Sequence, residues 1–306
     1  MRRILAIVAM ACVSTTWAAA QAGTLDVLDG ETLYDGGWLV TLGFDYELRD
    51  TVRQGKSRRH GLALDAEETE FRTSLAAHYG LRNDVQVGLL TQYRDLGSDV
   101  DSFAVPSANG TAGSAGFGDL ELFAKWRFFR YDAPHVAFNV ALIGGLTIPT
   151  GEDDAGTPRL EPEQQVGRGS FDPSVGIGIT HEPGRWRFNA AALYHASLDT
   201  DGDDSKPGES FTALLEVGNR FWLEPYPGPF MRLDVGLQFD RETHDSLGGI
   251  LPNTGGERID VVSTLAFRPR PSLDFQLHGG IPIWQDVNGI QVSTDYTIGF
   301  TFGYRF

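Results

Sequence analysis

Asp295-Tyr296-Thr297-Ile298-Gly299-Phe300-Thr301-Phe302-Gly303-Tyr304-Arg305-Phe306 decides how the rest of the sequence is read. Every second residue gives Tyr296, Ile298, Phe300, Phe302, Tyr304 and Phe306 on one face, against Asp295, Thr297, Gly299, Thr301, Gly303 and Arg305 on the other. An unbroken period of two is the mark of a β-strand. One face is aromatic throughout except for an isoleucine, and the other is small or polar. A strand standing between lipid and a wet interior needs both faces. The edge strand of a soluble sandwich is the competing reading, and the choice depends on whether the remaining chain supplies partners.

It does. Trp38, Val40, Leu42, Phe44, Tyr46 and Leu48 alternate with Leu39, Thr41, Gly43, Asp45, Glu47 and Arg49. Phe71, Leu75, Ala77 and Tyr79 repeat the pattern against Glu70, Arg72, Ser74 and His78, and Val85, Val87, Leu89 and Tyr93 follow. The connections alternate too. Short turns are predicted at Gly80 to Asn83, Tyr131 to His135, Glu182 to Gly184, Leu223 to Pro229 and Arg268 to Ser272. Long loops are predicted near Asp50 to Glu68, Leu96 to Gly116, Pro149 to Phe171, Ser197 to Glu209, Arg241 to Glu257 and Pro282 to Gln291. The fold class is therefore all-β, a transmembrane antiparallel β-barrel of about 12 strands over 38–306, with short periplasmic turns and long extracellular loops. Prolines 134, 149, 173, 183, 269 and 271 sit at strand ends, where a ladder that needs its amides tolerates them. Trp38, Tyr79, Tyr93, Trp126, Phe128, Trp186, Tyr194, Phe221 and Phe239 fall near strand ends on the outward register, as interfacial girdles do.

Residues 1–20 combine Arg2 and Arg3, an apolar run from Ile4 to Val13 and small residues at Ala18 and Ala20, which reads as a secretory signal cut after Ala20 or Ala22. Residues 21–37 have no steady period and read as a short periplasmic tail or a small plug. Cys12, the only cysteine, lies in the signal, so the mature chain has no thiol for disulfides, metal or nucleophilic chemistry. A lipid-attachment reading of Cys12 fits Ala9 and Met10 poorly. The net charge of −16 excludes nucleic acid as a partner and suits acidic outer loops.

Gly116-Phe117-Gly118-Asp119, continuing into Leu120-Glu121-Leu122-Phe123-Ala124-Lys125-Trp126-Arg127-Phe128, resembles the outer-membrane family associated with the meta-cleavage pathway of phenol degradation, and Gly144-Gly145-Leu146-Thr147-Ile148-Pro149-Thr150-Gly151 supports the likeness. The resemblance implies a Gram-negative outer-membrane barrel, porin-like, that transports small aromatic or apolar molecules, and it carries no binding residues over. The closing strand, ending on Phe306, is similar to the C-terminal signal by which outer-membrane barrels are recognised for insertion. Lipid, the barrel-assembly machinery and a small-molecule solute are the implied partners.

Other chemistry is poorly served. Tyr194-His195-Ala196-Ser197 resembles the His-x-Ser pair of outer-membrane phospholipase A, but Leu198 and Asp199 follow where that family has asparagine and glycine. His195 and Ser197 also take the lumen register, away from any bilayer substrate. Asp199 to Asp204 has the ingredients of a calcium loop without its later bidentate acid. Gly110 to Gly118 leads into a strand and so is no phosphate loop. The histidines show no metal-ligand spacing, and no cofactor is expected. The inward register assigns the lumen Asp45, Glu47, Arg49, Glu70, Arg72, His78, Arg94, Asp119, Glu121, Lys125, Arg127, Arg187, His195, Glu216, Arg220, Arg232, Asp234, Asp260, Asp274, His278 and Arg305. Acids and bases nearly balance there. Cross-lumen ion pairs and a narrow polar passage, with no greasy tunnel, are the expectation. A lipid-acting hydrolase at His195 and Ser197 and a closed structural or surface-recognition barrel are the alternatives.

Overall fold

The computed structural model describes residues 27–59, 64–102, 110–151, 166–167, 169–198 and 205–306. The signal, His60 and the acidic loop Asp199 to Asp204 lie outside the described residues. The polarity of the molecule is inverted: Arg72, Lys125, His78, Gln291, Glu47 and Glu70 are among the largest fully buried side chains, while Trp126, Leu215, Leu237, Ile298 and Phe300 are exposed. Water would reverse that arrangement, and a lipid solvent requires it.

Strand β1 is Trp38–Gly55, β2 Leu64–Arg82 and β3 Val85–Ser102. Strand β4 comes in two segments, Gly110–Phe117 and Leu120–Ala133, both paired with β3. Then follow β5 (Val136–Ile148), β6 (Asp172–Pro183), β7 (Trp186–His195), β8 (Ser210–Leu223), β9 (Phe230–Glu242) and β10 (Gly256–Arg270). The last stretch, Leu273–Arg305, is continuous extended backbone, but its partner changes. Residues 273–287 pair with β10 and form β11, whereas 290–305 pair with β1 and form β12. Gly289, at φ +66, makes the reversal between them. Among the described residues the wall is thus crossed twelve times, each neighbour antiparallel. It closes where Trp38 N donates to Phe306 O (2.9 Å) and Phe306 N donates to Trp38 O (3.1 Å).

Three of the expected long loops are corrected. Pro282 to Gln291 is strand plus a tight hairpin, because Asn288-Gly289 supplies the left-handed residue a sharp reversal requires. Ile290 N donates to Asn253 Oδ1 and Gln291 Nε2 to Asn288 O, which pins the hairpin. In place of the loop Asp50 to Glu68, β1 runs on to Gly55 and β2 begins at Leu64. Over Leu96 to Gly116, β3 runs to Ser102 against Gly110–Phe117. Paired strands satisfy backbone groups that a loop would leave to water, so this part of the wall stands taller. The five short turns fall where expected, with His135 (φ 63) and Gly184 (φ +64) taking left-handed backbone.

The two sequence motifs meet each other. The Asp119 carboxylate, at the break between the segments of β4, accepts from Thr150 N (3.1 Å) and Gly151 N (2.9 Å), and Leu120 N donates to Thr150 Oγ1 (2.9 Å). A Cβ at Gly151 would lie 2.8 Å from Phe117 O, so the junction needs glycine there. Gly118 N donates to Gln92 O at 2.7 Å, which keeps the interrupted strand on the wall.

Outward side chains make the lipid belt. Trp38 packs on Tyr79 (ring centroids 4.8 Å) and stacks with Phe306 (6.3 Å), and Tyr304 also meets Phe306 (5.7 Å), grouping aromatics at the short-turn rim. Tyr46 with Tyr296 (6.2 Å) and Phe211 with Phe239 (6.3 Å) lie higher, towards the loop rim. A register shift between Trp126 and Phe129 leaves Phe128 and Phe129 both exposed.

Candidate functional site

Inward-facing positions of β1, β2, β3, β9, β10 and β12 hold a charged network on the loop side of the lumen. Glu47, fully buried, is its centre: Arg49 Nε lies 3.0 Å, Arg72 Nη2 3.4 Å and Arg258 Nη1 3.9 Å from its carboxylate. Thr294 donates its hydroxyl to Glu47 (2.7 Å) while accepting from Arg258 Nη1 (2.7 Å). Glu70 gathers Arg94 (2.7 Å), Arg49 (3.3 Å) and Arg72 (3.6 Å). Arg258 also reaches Asp260 (2.9 Å) and Asp240 (3.5 Å), and Arg49 reaches Glu68 (3.7 Å). These pairs follow one arc of the wall. They do not cross the full bore, contrary to the simplest form of the cross-lumen expectation.

The crossing is made by the chain that precedes β1. Asp29 is buried, and its carboxylate meets Lys125 Nζ of β4 (2.6 Å) and Arg187 Nη2 of β7 (2.9 Å). Arg187 Nη1 adds Glu31 (2.8 Å) and Glu182 (2.9 Å). Gly30 N donates to Thr180 Oγ1 (2.9 Å) and Leu33 N to Gln86 Oε1 (2.9 Å). Burial raises the Glu31 carboxyl, but the attraction and hydrogen bond of Arg187 outweigh it and hold the group at about 2. Val27 and Leu28, just before, are buried against Ile143, Ala191, Leu193, Leu214 and Val262, with Phe123 packed alongside.

Beneath this segment a cavity of about 430 Å³ opens towards the short-turn side. Its lining brings together Arg127, Arg187, Arg220, Arg232, Arg268 and Arg305 with Asp29, Glu31, Glu182, Glu216, Asp234 and Asp274. Arg220 pairs with Glu182 (2.5 Å), Arg232 with Asp234 (2.7 Å) and Arg268 with Asp274 (2.6 Å), and Arg305 also pairs with Asp274. Phe230 turns its ring inward between the guanidiniums of Arg268 (5.0 Å) and Arg220 (5.7 Å).

Of the residues assigned to the lumen from sequence, Asp45, Glu47, Arg49, Glu70, Arg72, His78, Arg94, Lys125, Arg187, His195, Asp234, Asp260, Asp274 and His278 are buried. Asp119, Glu121, Arg127, Glu216, Arg220, Arg232 and Arg305 are half-buried. His278 Nε2 lies 2.8 Å from Asp45 Oδ1, and His78 Nδ1 lies 3.0 Å from Gln86 Nε2. Arg127 stands at the turn rim, where Nη2 donates to Asn83 O (2.5 Å), and Asp119 serves the motif junction. His195 Nε2 is 3.5 Å from Thr147 Oγ1, and the buried Ser197 Oγ has no hydrogen-bond partner among the described residues. The sequence reading missed Asp29, Glu31, Glu68, Glu182, Asp240, Arg258 and Arg268. Glu68 continues the alternation of β2 into the stretch where a loop was expected, and Arg258 shares the inward face of β10 with Asp260, two residues on, so following the period further would have found both.

The profile of the family described as "Putative MetA-pathway of phenol degradation" matches residues 66–306. The chain belongs to that family. Among solved structures, this member of the phenol-degradation family is similar to the COG4313 outer membrane channel from Pseudomonas putida F1, with 15% identity and a TM-score of 0.67 over 91% of this chain and 98% of that one. That likeness makes the fold an outer-membrane β-barrel. The β domain of the Bordetella autotransporter BrkA (11% identity, TM-score 0.48, 89% and 100% covered) and the P. putida toluene transporter TodX (9%, 0.44, 97% and 96%) are more distant. No curated protein sequence matches the chain.

Proposed function

We propose that the protein is an outer-membrane channel through which small aromatic or apolar molecules diffuse passively along a narrow polar lumen. Residues 21–37 act in it as a small plug, and the side chains inventoried above line the path. The observation that carries the reading is the interior itself: a cavity of about 430 Å³ walled by as many acids as arginines, below a segment held by ion pairs that exchange can break and remake. A barrel kept only for strength would gain more from an apolar filling, since buried ion pairs contribute little net stability. The family and the similar channel point the same way. The hydrolase reading has no support in the site, because Ser197 is buried and faces away from lipid.

Flux into vesicles tests this. Vesicles holding the refolded protein should admit phenol-sized neutral solutes faster than protein-free vesicles, and disaccharides no faster. Equal rates for the neutral solute with and without protein would refute it.

A further inference from the structure

Most of the lumen wall is polar, yet Ile143 on β5, Ala191 and Leu193 on β7, Leu214 on β8 and Val262 on β10 turn apolar side chains inward as one patch. Left against a water-filled bore, such a patch would carry the unfavourable hydration of apolar surface. Val27 and Leu28 cover it, and the very next residue places a carboxylate on Lys125 and Arg187. Those two cations are themselves almost without solvent exposure, at 0% and 9% for their side chains. An apolar body on the patch and an anion within one residue's reach of it, about 3.8 Å between consecutive Cα atoms, describe a small amphiphile as well as a peptide tip. Within the tip itself the neutral anchors, Gly30 N on Thr180 and Asn189 on Leu28 O (3.5 Å), are weak by comparison, while Glu31, two residues on, keeps its own ion pair with Arg187 (2.8 Å).

We propose that the apolar patch together with Lys125 and Arg187 is a binding site for small apolar carboxylates, aryl or short-chain, and that Val27-Leu28-Asp29 is its built-in occupant. The ligand's ring or chain takes the place of the two aliphatic side chains and its carboxylate takes the place of Asp29, so that binding and release of the tip exclude each other. The proposal deepens the channel reading by fixing a dwelling point and a solute class, and it rests on that reading only for the solute's arrival.

The test uses the refolded protein in vesicles and an aryl-diazirine benzoate as photoaffinity probe, with its uncharged amide as comparison. In the variant V27S/L28S/D29N, labelling of lumen residues Leu193 and Leu214, divided by that of lipid-facing Leu215 and Leu237, should rise at least fivefold over the native chain. The amide should label at least fivefold less, and adding Arg187→Gln should return the ratio to its native value. Equal labelling by carboxylate and amide, or no rise in the variant, overturns the site. A second measurement needs only one substitution: in Val27→Cys, millimolar benzoate should speed modification of the thiol at least threefold and benzamide should not, and equal rates would overturn the proposal. Solute flux without site labelling would sink the site alone. Labelling without flux would sink the channel reading and leave the site.

Discussion

Replacing Asp29 by asparagine keeps the shape of the side chain and removes its charge from between Lys125 (2.6 Å) and Arg187 (2.9 Å). Removing one partner of a buried ion pair costs about 3–5 kcal/mol, because the charge left behind stays desolvated. Arg187 keeps Glu31 and Glu182, which puts the loss nearer the low end, about 3 kcal/mol. If that free energy is what holds the inserted segment, the displaced population rises roughly 100-fold, at about 1.4 kcal/mol per factor of ten. A thiol at Val27 reads that population directly, since Cys12, the one native cysteine, belongs to the expected signal and leaves the mature chain with a single reporter. Modification of Val27→Cys by a water-soluble reagent should therefore run roughly 100-fold faster in the Asp29→Asn background. A change below about threefold would mean that the ion pairs do not hold the segment, and the latch reasoning would fail.

Glu47→Gln leaves Arg49, Arg72 and Arg258 around a neutral amide, and should lower unfolding stability in vesicles by about 3–5 kcal/mol and turn ion selectivity towards anions; urea unfolding and reversal potentials check both. Glu31 is held at about 2 against an ordinary 4.5, so its contribution is complete above about pH 4.5 and vanishes as pH falls through about 2. Native conductance should rise across that window, and Glu31→Gln should flatten the rise; superimposable profiles would contradict it. Single cysteines at Ser57 and at Gly184 should label from outside intact cells only at Ser57, since the two positions lie at opposite rims. Ser197→Ala should leave solute flux and any lipid hydrolysis of the preparation unchanged, and loss of a phospholipase activity on that change would revive the enzyme reading.

What could be read from sequence was what period two encodes. Alternation along the closing strand and along Trp38 to Arg49 named the lipid face, and of its residues Trp38, Phe44, Tyr296, Ile298, Phe300, Tyr304 and Phe306 are exposed in the structure while the others are half-buried. Turns at Pro and Gly were placed because proline fixes its own backbone angle and glycine takes the left-handed backbone that a sharp reversal needs. Asn288-Gly289 was a turn signal of the same kind, overlooked because a long connection was assumed there. The inserted segment was harder. Val27 to Glu31 has no period because its contacts are tertiary, made to Lys125, Thr180 and Arg187 at separations beyond 90 residues. The inward patch at Ile143, Leu193 and Leu214 was missed for a different reason: a lumen was assumed polar throughout, and an apolar residue on the inward register looks like noise until its partner from the N-terminal segment is in place.

Single-channel conductance of the refolded chain, compared with one that begins at Trp38, bears most directly on a narrow, charge-paired lumen crossed by its own N-terminal segment. A small, weakly selective conductance in the native chain that grows several-fold when residues 21–37 are absent is the predicted result. A large, strongly selective native conductance, or one indifferent to the loss of those residues, would contradict it.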